Sequence, residues 1–150
     1  MRRAATAARP ARSVMAAAAS HDDRTPVGVL VVDDHLVFRS AARAVVDAAH
    51  PDFVLLGEAT SDAHALAVMD DVHADLVLVD VRIGGMGGIE TTRRLHAAHP
   101  DAVVVLVTTE EVLNLPTEVG FCGASDLIRK QDFRPSLLRR LWRVHRPRGR

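Results

Sequence analysis

The chain has 150 residues, 48% apolar and 25% charged, which suits one compact domain and excludes a disordered chain. Its net charge is zero, yet residues 27–128 carry sixteen acids against five arginines, and residues 129–150 carry nine basic side chains against one acid. One cysteine excludes a disulfide framework, and no apolar run reaches the roughly 18–20 residues that span a bilayer, so we expect a cytoplasmic protein without membrane association.

Residues 1–26 are rich in Ala and Arg and show no apolar periodicity. Arg9, Pro10 and Arg12 interrupt the segment, which excludes the continuous apolar stretch of a secretory signal. Its Arg-rich, acid-poor character is shared with organelle transit peptides, so that alternative stays open. We interpret residues 1–26 as a disordered extension, with Met15 as an alternative start.

From Val27 onward, apolar runs alternate with stretches of helical periodicity. The runs that predict strands are residues 27–32, 53–56, 75–80, 103–107 and 126–128. A helix is predicted after each strand, and Pro135 suits the first position of the last one. The fourth helix should be weak, because Pro116 lacks an N–H and disrupts a helix interior.

The strands read as continuous apolar runs, which indicates a sheet covered on both faces. Alternation of strands and helices through short connections indicates parallel strands with right-handed crossovers. The sequence therefore predicts a five-stranded, doubly wound α/β domain over residues 27–145, followed by a basic tail over residues 146–150.

Polar residues stand where these strands end, and in a doubly wound sheet the carboxyl ends of the strands form the functional edge. They are Asp33 and Asp34 after the first strand, Asp80 at the end of the third, Thr108 and Thr109 at the fourth, and Lys130 after the fifth. Converging carboxylates repel one another, and Mg²⁺ relieves that repulsion with carboxylate and water ligands.

Each of these residues alone has a plainer structural explanation, such as a helix cap for an Asp or β-propensity for a Thr. Lys130 could simply be one of the nine basic residues at positions 129–150, but it is the only lysine beside 18 arginines, which favours a specific use of its ammonium group. The joint arrangement outweighs the separate explanations.

With these motifs in place, the chain resembles the receiver domain of bacterial two-component response regulators. The matching segments are residues 29–35, 76–80, 88–90, 105–109 and 123–130. The resemblance covers about residues 27–145, implies a flavodoxin-like fold, and includes the Val-Asp-Asp-His opening of many DNA-binding regulators.

The resemblance implies that Asp80 accepts a phosphoryl group from a histidine kinase, so the protein is not an enzyme in the ordinary sense. Asp33, Asp34 and Asp80 would hold Mg²⁺ together with the backbone carbonyl of Arg82. Thr108 and Lys130 would contact the phosphoryl oxygens, since transfer depends on positioning and charge neutralisation.

Several residues depart from the family pattern. Four glycines lie in the loop 84–88, whereas the family usually has Met-Pro or a similar pair at positions 83 and 84 and often an acid at position 87. Leu127 stands at the position of an aromatic switch residue, and Pro116 lies in the helix that carries the output surface. These departures suggest an intact phosphorylation site with modified output.

Because the sequence ends at residue 150, we expect no DNA-binding domain and no sequence-specific DNA binding. The first hypothesis is a stand-alone receiver that signals by contact with a downstream protein or by a phosphorylation-dependent homodimer. The second is a receiver-like interaction module that works without phosphorylation. Metal binding by His96 and His99, and nonspecific phosphate contacts by the arginine-rich residues 139–150, are less favoured.

Overall fold

The computed structural model describes residues 25–150 and contains one parallel sheet with the strand order β2-β1-β3-β4-β5. The strands are β1 (Val27–Val32), β2 (Phe53–Ala59), β3 (Leu76–Asp80), β4 (Val103–Thr108) and β5 (Asp126–Arg129). The predicted five-stranded, doubly wound α/β fold is confirmed. The extension expected at residues 1–26 lies, up to residue 24, outside the described residues.

Four α-helices cover the two faces of the sheet. They are α1 (Leu36–Ala48), α2 (Asp62–Val72), α3 (Gly87–Ala98) and α4 (Pro135–His145). Helices α1 and α4 pack on one face, against side chains such as Val29 and Val31, while α2 and α3 pack on the other, against Leu30 and Val32. This alternation along β1 is what a strand buried on both faces requires. Within residues 25–150, no helix combines the length and apolar content needed to cross a membrane.

The connection from β4 to β5 differs from the prediction. Where the sequence predicted a weak α-helix, the chain forms two short 3₁₀ segments, Val112–Asn114 and Thr117–Phe121. Pro116 separates them and has no N–H to donate, and Leu115 before it is extended, with ψ of 153°. The prediction of an α-helix between β4 and β5 was therefore wrong. The cause is Pro116, the same residue that had led us to expect a weak helix there.

The second strand extends beyond its predicted end. It runs to Ala59 rather than to residue 56, and it lies at the edge of the sheet beside β1. Its exposure alternates along the chain, so the polar Glu58 is accommodated in the strand without full burial. The prediction ended at residue 56 because it followed only the continuous apolar run and did not allow for Gly57 and Glu58 within the strand.

The sheet places the ends of β1 and β3 side by side. The chain passes from β1 to β2 on one side and then to β3 on the other, so the strand order reverses between β1 and β3. Ligand sites of open α/β sheets lie at the carboxyl ends of the strands flanking such a reversal. Asp33 follows β1 directly, and Asp80 is the last residue of β3.

Candidate functional site

Three polar side chains are buried at the carboxyl edge of the sheet. Asp33 is 0% exposed, Asp80 3% and Thr108 1%. Each lies at or just after the end of a central strand, where the backbone fixes its direction. The Oδ1 atom of Asp33 accepts the N–H of His35 at 2.8 Å, which stabilises the turn leading into α1.

Lys130 reaches this cluster from the end of β5. Its Nζ atom lies 2.5 Å from Oδ2 of Asp33 and 3.6 Å from Oδ2 of Asp80, and its side chain is only 10% exposed. The ammonium group also lies 5.0 Å from the centre of the Phe38 ring. The one lysine of the sequence is therefore the buried counter-charge of two carboxylates.

The electrostatic environment raises the pKa of Asp80 above its ordinary value. Burial is the main cause, and the negative charge of Asp33 adds to it. The charge of Lys130 and the N–H of Arg82, which donates to Oδ1 of Asp80 at 3.2 Å, act in the opposite direction. The other oxygen, Oδ2, is buried and has no hydrogen-bond partner among residues 25–150.

His35 is a member of the cluster that the sequence analysis did not single out. Its Nδ1 atom lies 3.0 Å from Oδ1 of Asp33, 3.1 Å from Oδ1 of Asp34 and 3.8 Å from Oδ2 of Asp80. Its position directly after the paired acids was the available signal. The prediction considered oxygen ligands and overlooked the imidazole between them.

The residues present fit a divalent cation. Ligand atoms of Asp33, Asp34, His35 and Asp80 all lie within 4.8 Å of one another, and no other such group of three or more occurs in residues 25–150. Three carboxylates, two of which have a buried oxygen without a hydrogen-bond partner among residues 25–150, are the hard donors that Mg²⁺ prefers. The imidazole suits Mg²⁺ less well, and the His35 side chain is 67% exposed rather than enclosed.

Thr108 and Arg82 are joined by Glu110, which the sequence analysis also missed. The Oγ1 atom of Thr108 accepts the N–H of Glu110 at 3.0 Å. The guanidinium of Arg82 forms a bidentate ion pair with the Glu110 carboxylate, at 2.6 and 3.1 Å. This pair links the loop after β3 to the segment after β4, beside the acidic cluster.

The disfavoured histidine pair does not form a group of its own. His99 contacts Oδ1 of Asp70 through Nε2 at 3.0 Å and packs edge-on against His73. His96 instead lies against Gly123, where a Cβ would be 2.9 Å from its ring. The two histidines therefore face different neighbours.

Comparison with known proteins points to one family. The model of the response regulator receiver domain family matches residues 29–141. The response regulator GacA of Pseudomonas viridiflava is 38% identical over 105 residues, which cover 69% of this chain and 48% of that protein. UvrY of Escherichia coli is 29% identical over 104 residues, which cover 69% and 47%. The chain thus spans about half the length of the curated relatives it matches.

Solved structures show the same fold. The response regulator domain of Thermotoga maritima CheB gives a TM-score of 0.71 at 24% identity, covering 82% of this chain and 100% of that one. A Burkholderia pseudomallei response regulator, solved with a phosphorylated aspartic acid, a calcium ion and citrate, gives 0.67 at 21% identity, with 76% and 65% covered. With the receiver family model matching most of its length, the chain belongs to the response regulator receiver domain family of two-component signalling.

Proposed function

We propose that this chain is the phosphoacceptor receiver of a two-component system and that a histidine kinase phosphorylates Asp80. The observation that carries the proposal is the buried Asp80 carboxylate at the end of β3, with Asp33 and the Lys130 ammonium beside it. Membership of the receiver family supports the same reaction.

In the proposed reaction, a carboxylate oxygen of Asp80 attacks the phosphorus of the kinase phosphohistidine. A P–O bond forms, the P–N bond breaks, and the released imidazole nitrogen takes up a proton. Because the transition state is loose, the protein contributes mainly positioning and charge neutralisation. The Lys130 ammonium and the Thr108 hydroxyl would contact the phosphoryl oxygens, and the 3.6 Å distance from Nζ of Lys130 to Oδ2 of Asp80 supports this role for the lysine.

Asp33, Asp34, Asp80 and the backbone carbonyl of Arg82 would hold Mg²⁺. When bound, the cation would neutralise charge on the transferring phosphoryl group. The buried Oδ2 of Asp80, which has no hydrogen-bond partner among residues 25–150, and the dense carboxylate cluster support this assignment. His35, whose side chain is largely exposed, would give way to the cation.

We propose residues 27–145 as the receiver unit and contact with a downstream protein, or with a second copy, as its output. The tail at residues 146–150 would remain a basic surface segment without sequence-specific DNA binding. In the structure Arg150 pairs with Asp75 and lies 5.8 Å from the Trp142 ring, which places the tail at the opposite end of the sheet from Asp80.

A second candidate is an interaction module that works without phosphorylation. It is favoured by the two 3₁₀ segments that replace an α-helix between β4 and β5. Leu127, at the position of the aromatic switch residue, packs against the core on the side of α2 and α3. Phosphorylation that changes neither oligomeric state nor partner affinity would favour this second candidate.

The test is the intact mass of the full chain after incubation with acetyl phosphate and Mg²⁺. We expect one phosphoryl adduct in the wild type and none in Asp80→Asn or after chelation of Mg²⁺. Asp101→Asn, an exposed position, is the matched control and should retain the adduct. A folded wild type without an adduct, or an adduct that persists in Asp80→Asn, would contradict the proposal.

A further inference from the structure

The glycine-rich loop between β3 and α3 is held by a side chain from α2. Asp62, the first residue of α2, accepts the backbone N–H of Met86 at 3.0 Å through Oδ2. Its carboxylate lies so close to Gly85 that a Cβ there would be 2.5 Å from Oδ1. Gly85 has φ of +86°, a conformation that other residues rarely adopt. The loop backbone is therefore shaped around the Asp62 carboxylate.

The same carboxylate lies at the beginning of α3. Met86 occupies the N-cap position and offers no side-chain cap, and Gly87 follows where the receiver resemblance implies an acid. Unpaired N–H groups and the helix dipole favour a negative charge at this end. The N–H of Met86 is the main cause that lowers the pKa of Asp62, so the carboxylate that accepts it is ionised at neutral pH.

The loop held by Asp62 is also the loop that borders the phosphorylation site. The N–H of Arg82 donates to Oδ1 of Asp80, and the N–H of Ile83 donates to the Asp80 carbonyl at 3.1 Å. At its other end Gly88 packs on the Asp80 backbone, where a Cβ would be 2.2 Å from the carbonyl oxygen. The loop thus begins and ends at Asp80, and Asp62 holds its middle.

Four glycines make this loop costly to order. Glycine loses more backbone freedom on folding than any other residue, and positions 84, 85, 87 and 88 are all glycine. A carboxylate that accepts a loop amide and fills the space beside Gly85 restricts the accessible backbone conformations. The restriction extends to Arg82, whose carbonyl is the proposed backbone ligand of Mg²⁺.

We propose that Asp62 is a positioning residue for the phosphorylation site, fixing the glycine-rich loop so that the Arg82 backbone is presented to Mg²⁺. This inference rests on the proposed function. In this inference, a side chain of α2 orders the loop, because the loop itself is rich in glycine and has few side chains to restrict its backbone. A side chain that only capped α3 would affect the stability of the fold and leave Mg²⁺ affinity unchanged, which separates the two roles.

The experiment compares the full-length wild type with Asp62→Ala, Asp62→Asn and Asp71→Ala. Asp71 is an exposed acid on the same helix and serves as the matched control. Calorimetry measures the Mg²⁺ dissociation constant, and hydrogen exchange measures the opening of the Met86 amide. Loss of one hydrogen bond predicts roughly tenfold faster exchange of that amide in Asp62→Ala. We expect Mg²⁺ affinity to fall about fivefold, a loss smaller than one complete hydrogen bond would give.

The variants separate positioning from folding. Asp62→Asn keeps an oxygen that can accept the Met86 N–H, so its Mg²⁺ affinity should return towards that of the wild type. If Asp62→Ala does not fold, Asp62→Ser replaces it, because its shorter side chain lacks the carboxylate oxygen that accepts the Met86 N–H, and the same loss of Mg²⁺ affinity is expected. Asp71→Ala should match the wild type in both measurements. The Mg²⁺ concentration that gives half-maximal labelling by acetyl phosphate should rise in Asp62→Ala, with a smaller change in the maximal rate.

Two results would overturn the inference. One is a folded Asp62→Ala with wild-type Mg²⁺ affinity, even if its amide exchange is faster, because Asp62 would then only cap α3. The other is a wild type that binds no Mg²⁺. A wild type that binds Mg²⁺ with the expected dependence on Asp62 but gains no phosphoryl adduct would contradict the proposed function and leave the positioning role in place.

Discussion

The segment between β4 and β5 begins at the carboxyl edge of the sheet, yet the two regions are built differently. At the edge, side chains from three strand ends bury charge against charge, with the Lys130 ammonium 2.5 Å from Asp33. In the segment 109–125, large apolar side chains face solvent, with Leu113 97% and Phe121 85% exposed. Long-range packing fixes the first region, and a single proline largely decides the second.

This contrast matches the two roles proposed for the domain, phosphorylation and contact with a partner. A phosphorylation site needs groups held in place before the reaction, because positioning supplies most of the catalysis. A contact surface can be less ordered, and exposed apolar residues are common where proteins meet. If this is correct, substitutions at the edge should change the free energy of unfolding far more than substitutions in the segment 109–125.

The largest effect is expected for Lys130→Met. Removing the ammonium leaves Asp33 and Asp80 buried side by side without a counter-charge, which should lower the free energy of unfolding by about 3 kcal/mol at neutral pH. Urea unfolding measures the change. Arg129→Met, which removes a partly exposed ion pair with Glu111, is the control and should cost less than about 1 kcal/mol. Equal losses for the two variants would mean that burial of the Asp33, Asp80 and Lys130 cluster does not make its charges more important for stability than an exposed ion pair.

A smaller effect of opposite sign is expected for Asp80→Asn. Because the folded state raises the pKa of Asp80, it binds the proton more tightly than the unfolded state does. Ionisation therefore costs stability above the raised pKa, and the cost disappears below the ordinary pKa of an aspartate. We expect Asp80→Asn to be more stable by about 1 kcal/mol at pH 7 and to lose this advantage near pH 3. Urea unfolding at the two pH values measures it, and an advantage independent of pH would exclude this explanation.

The part of the site that could be predicted from the sequence is the part formed by residues at the ends of strands. Asp33, Asp80 and Lys130 each follow a recognisable apolar strand, so their convergence follows from parallel topology alone. The contacts of His35 and Glu110 could not be predicted in this way, because they depend on side-chain conformation and on the path of a loop. The roles assigned to the site residues stay predictions until they are tested.

Two features of the structure were predicted poorly or not at all: the segment around Pro116 and the contact of Asp62 with Met86. Pro116 was recognised as unfavourable for a helix, but its effect was underestimated, since an extended residue precedes it and two 3₁₀ segments replace the helix. The contact of Asp62 with Met86 is not predictable from the sequence, because the two residues are 24 positions apart and belong to different elements. The loss of the helix has a local cause at Pro116, whereas the Asp62 contact depends on tertiary packing.

The smallest effect is expected in the segment between β4 and β5. Leu113→Ser combined with Phe121→Ser should change the free energy of unfolding by less than about 0.5 kcal/mol, because both side chains are exposed. Leu115→Ala is the contrast, since Leu115 packs against the core, and it should cost about 1 kcal/mol or more. Both variants should keep the phosphoryl adduct on Asp80, measured by intact mass. If the double variant instead loses stability as Leu115→Ala does, the exposed residues support the fold and are not free to contact a partner.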